Sequence, residues 1–128
     1  MLFTLENRKF FDCSREERES LIPFVRETAE LANIIQAKGM LALEPMLPDF
    51  EDEFLRYALN LIVDAEDPDE VRRRLEVKAV GSGKTGLDLL RMVITIECVL
   101  KLCNGSHSRI VEESGLLYLG DVSLEAIG

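Results

Sequence analysis

At 128 residues, with 47% apolar residues and a mean hydropathy of +0.05, the chain is long enough for one globular domain and too apolar to be disordered. Its 24 acidic against 15 basic residues give a net charge of −9, which argues against nucleic acid or an anionic lipid surface as a general partner. No run reaches the ~20 apolar residues of a membrane-spanning helix, and the N-terminal stretch MLFTLENRKFFDC lacks the basic-then-apolar layout of a signal peptide.

Residues 1–12 read as either an extended arm or a short helix. A long first helix is then expected over 13–45. Ser14 followed by Glu17 forms a capping box, with Glu16 beside it in the first turn. Leu21, Phe24, Val25, Thr28, Leu31 and Ile35 recur at helical spacing. Pro23 makes this helix either kink or begin its regular part there, and Gly39 is expected to bend it without ending it. Pro45 and Pro48 place its end near Leu43 or Glu44.

A helix–turn–helix unit follows over 51–78. Phe54, Leu55, Ala58, Leu59, Ile62 and Val63 form the apolar face of its first helix. Asp67 then caps a short helix that opens on Pro68. Residues 79–86 read as a Gly-rich linker. A second helix–turn–helix unit is expected over 87–115, with Asn104-Gly105 closing its first helix through the left-handed region. Residues 116–128 form a tail. The two units echo each other faintly: an amphipathic helix, a polar turn, then a helix opening on Val or Ile. The whole reads as one all-α domain over 1–128, a compact bundle of about five helices.

Few residues invite chemistry. Cys13, Cys98 and Cys103 are odd in number and lack metal or disulfide spacing, so reduced, mostly buried thiols are expected. His107 stands alone in a turn, and no metal or cofactor is expected. The carboxylate clusters FEDEF and DAEDPDE fall in turn-like segments, where solvated acids are the default rather than acid–base pairs. The stretch KAVGSGKTG ends like a phosphate-binding loop at Gly83, Lys84 and Thr85, but Lys78 stands where that loop's first Gly belongs. Arg72, Arg73, Arg74 and Lys78 make the one basic cluster of an acidic chain. They suit either an acidic partner or ion pairs with the chain's own acids.

Residues 37–76, AKGMLALEPML followed by DEFLRYALNLIVDAEDPDEVRRRLE, resemble the cytoplasmic loop of MotA-type flagellar stator subunits, in the MotA/TolQ/ExbB group. Gly39, Leu41, Ala42, Leu43 and Glu44 match its Gly-to-Leu-Glu motif. Phe54, Leu55, Val63, Asp64, Asp67, Pro68, Val71, Arg72, Leu75 and Glu76 match the helix and turn that follow. Residues 96–119 are similar to the family's C-terminal cytoplasmic helix through Glu97, Gly105, Arg109, Ile110 and Glu112, with Ser108 in place of its Pro. Family members carry two membrane helices between these segments. Here the VGSGKTG stretch occupies that gap, which implies a linker and no ion-channel activity of this chain's own.

The resemblance also implies a partner contact. The family's Leu-Glu carboxylate, which engages the rotor, falls on Glu44. A basic residue eight positions earlier falls on Gln36, with Lys38 nearby. The expectation is therefore a non-enzymatic, cytoplasmic protein-interaction module. Its partner-binding residues would be Lys38, Glu44, Arg72, Arg73 and Arg74. The partner would be a motor rotor or stator protein, or a second copy in a homo-oligomer. The alternative is a small phosphate- or nucleotide-binding protein using Lys84 and Thr85.

Overall fold

The computed structural model describes residues 13–120. Among these the chain is all-helical without a strand: six α-helices and two 3-10 segments. The helices are α1 (Arg15–Glu19), α2 (Ile22–Lys38), α3 (Glu53–Val63), α4 (Pro68–Gly81), α5 (Gly86–Cys103) and α6 (Ser108–Leu116). The 3-10 segments are Met40–Asp49 and Leu117–Leu119. The all-α expectation stands, with six helices in place of about five. The reading of residues 1–12 and most of the tail over 116–128 lies outside the described residues.

The expected first helix is three pieces. Ser14 caps α1 with both bonds of the capping box, its Oγ accepting from Glu17 N and its own N–H donating to Glu17 Oε1. The chain then breaks at Ser20–Leu21, and α2 starts with Pro23 at its second position, where a missing N–H costs nothing. Gly39 ends α2 rather than bending it: its φ of +87° leaves helical space altogether. Pro45 and Pro48 then keep Met40–Asp49 from forming α-helical bonds, and the segment settles as a run of 3-10 turns. Leu43, fully buried, pins that run to the core.

The two αα units share one turn. After α3, Ala65 N–H donates to Ile62 O and Glu66 N–H to Leu61 O. After α5, Gly105 N–H donates to Leu102 O and Ser106 N–H to Lys101 O. Both pairs are the double bond of a Schellman turn. In each, the next residue (Asp67 or His107) is the N-cap of the following helix, and a fully buried valine (Val71 or Val111) docks its first turn. The echo in the sequence is thus a repeated turn geometry. It is built with Gly105 in one copy and Ala65, at φ +57°, in the other. α4 also runs on to Gly81, so the non-helical link to α5 shrinks to residues 82–85.

The core is organised around α5. Eleven of its 18 residues are buried, on every side, because α2, α3, α4 and α6 all pack against it. α2 also covers α6, and the 3-10 segment closes over α2 and α3. The tightest approach is at Gly115 on α6. A Cβ there would lie 2.8 Å from Val25 Cγ1 and 2.9 Å from Cys98 Sγ, both on short, fully buried side chains.

Two substitutions test this arrangement. Gly115→Ala should lower unfolding stability by about 1–3 kcal/mol, because neither neighbour can move away without opening the α2–α5–α6 contact. Ala65→Gly should raise it by about 0.5–1 kcal/mol, since glycine holds the left-handed turn without strain. Denaturant titration of the three proteins, followed by circular dichroism at 222 nm, reads both signs.

Candidate partner-binding surface

Lys38 and Glu44 stand at the two ends of one surface knuckle. Lys38 is the last residue of α2, and Glu44 lies on the 3-10 segment beyond the Gly39 exit. Both are exposed. Between them Leu41 leaves 68% of its surface in solvent, while its neighbour Leu43 is fully buried. The alternation follows from the backbone: three residues per turn and two prolines hold the segment stiff, with one leucine in and one out. Gln36, at the position matched to the family's basic residue, turns to the opposite task. Its Nε2 donates to Gly105 O at 2.7 Å and ties α2 to the α5–α6 turn.

The basic cluster divides. Arg72 faces inward, its Nη1 donating to Glu76 Oε1 at 3.0 Å and to Glu97 Oε1 at 3.3 Å. Glu76, on the same helix, is buried at 6% exposure, and the bond to Glu97 joins α4 to α5. Burial works against the Arg72 cation, but the hydrogen bonds and charges of Glu76 and Glu97 outweigh it and raise its pKa. Tyr118, on the last 3-10 turn, borders the same group; its burial and the Glu97 carboxylate push its hydroxyl up to about 12. Arg73 and Arg74 stay on the surface and share Glu70, at 2.6 Å and 2.9 Å. Their hydrogen bonds hold the Glu70 carboxyl down at about 2.

Glu97 and Tyr118 were not singled out as site residues by sequence reasoning. A usable signal existed: Glu97 interrupts an otherwise apolar run, and a carboxylate there must be paired or exposed. Arg91 is a similar case. It interrupts α5 and reaches Asp52 at 3.7 Å while its guanidinium lies 4.7 Å from the Phe24 ring centroid, bridging α3 and α2.

The remaining chemistry is muted. All three cysteines are free thiols, and burial pushes Cys98 up to about 12 and Cys103 up to about 11, away from the reactive thiolate. Among the described residues no cluster of His, Cys, Asp and Glu could hold a metal ion, and no helix is long and apolar enough to cross a membrane. Lys78 lies inside α4, so the GSGKT stretch follows a helix, where a phosphate-binding loop follows a strand.

Comparison with known proteins gives a local match. The chain is 34% identical over 53 residues to Motility protein A of two Helicobacter pylori strains, 26695 and J99. The match covers 41% of this chain and 21% of the relative, so it spans about a fifth of the proteins it resembles. No family model and no solved structure matches. A distant, partial relationship to Motility protein A is what the sequences support.

The divided cluster predicts divided effects. Arg72→Ala removes the cation between Glu76 and Glu97 and should cost about 2 kcal/mol of unfolding stability. Arg73→Ala removes an exposed pair and should leave the urea midpoint where it was.

Proposed function

We propose that the chain is a non-enzymatic protein-interaction module with a motor-related role in the cytoplasm, and that it meets its partner through the Lys38–Leu41–Glu44 knuckle. The observation that carries this reading is the exposure of Leu41 on a stiff backbone, flanked by charges of opposite sign. Covering such a side chain contributes about 1.5–3 kcal/mol, and the flanking charges fix the direction of approach. The local similarity to Motility protein A supports a rotor or stator protein as the partner. Arg73 and Arg74 border a separate surface whose charge Glu70 already offsets. Arg72 is engaged between helices, so reversing its charge would report on folding rather than on binding.

The test is a pull-down from the source cells with the unaltered chain and with a Lys38→Glu, Leu41→Asp, Glu44→Lys variant. All three positions are exposed, so the variant should keep its circular dichroism spectrum and melting temperature. Recovery of stator or rotor proteins by the unaltered chain, reduced at least tenfold by the variant, is the expected result. Equal recovery by both would move the contact off the knuckle. Recovery of the chain alone would replace a motor partner with self-association.

A further inference from the structure

A second feature lies at the C-terminal end of α4. The start of α3, the end of α4, Ser82, Lys84 and Met92 of α5 border an open cleft of about 450 Å³, lined by Glu53, Phe54, Lys78, Ser82, Lys84 and Met92. That size falls within the range of small-molecule sites. Phe54 and Met92 are buried and give it an apolar floor; Lys78, Lys84 and Glu53 are exposed and give it a charged rim.

The link beside it is ordered by its own side chain. Ser82 Oγ donates to Ala79 O at 2.6 Å and accepts from Lys84 N at 3.1 Å, and its oxygen lies 3.7 Å from Met92 Sδ. Lys84 is thereby held at the cleft by its backbone, and Lys78 Nζ rests 4.6 Å from the Tyr57 ring centroid. The two lysines also differ from the chain's arginines. Every ion pair among the described residues uses an arginine. In an acidic chain of net charge −9, Lys78 and Lys84 stand at one cleft with no ion-pair partner among the described residues.

We infer that this cleft binds a small monocarboxylic acid with an apolar body. Two lysines against the Glu53 carboxylate leave the rim with one net positive charge, which matches a monoanion. A phosphate dianion or a nucleotide would bring excess charge against Glu53. The floor of Phe54 and Met92 takes an aromatic or branched aliphatic group, and methionine adapts to its shape. The carboxylate then lies between Lys78 and Lys84. Ser82 takes no part in recognition, because its hydroxyl proton is already given to Ala79 O.

The test is a titration of the ¹⁵N-labelled chain, read from amide shifts, with four probes: 3-phenylpropionate, 3-phenylpropanol, phenyl phosphate and inorganic phosphate. Saturable shifts at Phe54, Ser82, Lys84 and Met92 are expected with 3-phenylpropionate, weakened about fivefold by Lys84→Ala and by Lys78→Ala. The alcohol and inorganic phosphate should bind more weakly. Glu53→Gln should strengthen the acid and bring phenyl phosphate level with it. All three positions are exposed, so the variants test charge and not folding. Equal binding of the alcohol and the acid, tighter binding of phenyl phosphate to the unaltered chain, or no saturable shift would each overturn the inference. None of these outcomes bears on the knuckle, whose test is separate.

Discussion

A helix that is apolar on all sides must be wrapped, and α5 is such a helix. Leu90, Val93, Ile94, Ile96, Val99 and Leu102 point in directions that no single neighbour could cover, and each is almost wholly buried. Four helices therefore have to converge on it, and the remaining turns of the chain serve to bring them there. The polar residues of α5 obey the same constraint. Thr95, with no exposure, returns its hydroxyl to Arg91 O, and Glu97 is compensated by Arg72 from α4. Arg91 extends outward to Asp52 and Phe24. Glu97 and Arg91 are thus also ties from the central helix to its neighbours.

This wrapping explains the surface. α4 gives α5 its Val71, Leu75 and Ala79 face, so its arginines are sorted by which way they point: Arg72 toward Glu97, Arg73 and Arg74 outward to Glu70. The same helix leaves Val77 and Val80 in solvent and delivers Lys78 to the cleft that Lys84 completes. After α2, Gly39 and two prolines end helical structure where that helix has finished covering the core. The 3-10 segment that results spends Leu43 on the core and presents Leu41 outside it. The exposed residues of the knuckle and the rim of the cleft therefore occupy the margins of elements whose other face is already committed.

The relation to Motility protein A has a physical limit as well as a numerical one. The matched stretch is short, and turn and cap residues such as Asp67, Pro68 and Val71 act locally in this chain. Such residues specify how two helices meet. They do not specify what the assembled surface meets, and for that reason the proposed partner contact rests on the exposed chemistry of Leu41, Lys38 and Glu44.

The sequence by itself determined the helical class and most element ends, because those depend on neighbours in the chain. Ser14 with Glu17, Asp67 with Pro68 and Asn104 with Gly105 act within a few residues, and each does in the structure what its chemistry dictates. It also marked Lys38, Glu44 and the arginines as charges worth following. Only the tertiary structure decided which of these charges are free. Gln36 is tied to Gly105 and Arg72 to Glu97, each through a residue distant in sequence, and Lys78 and Lys84 line one cleft with residues of α3 and α5. Gly39 ends α2 for the same reason. A glycine can bend a helix or leave it, and the choice is made by where Leu43 must go to be buried.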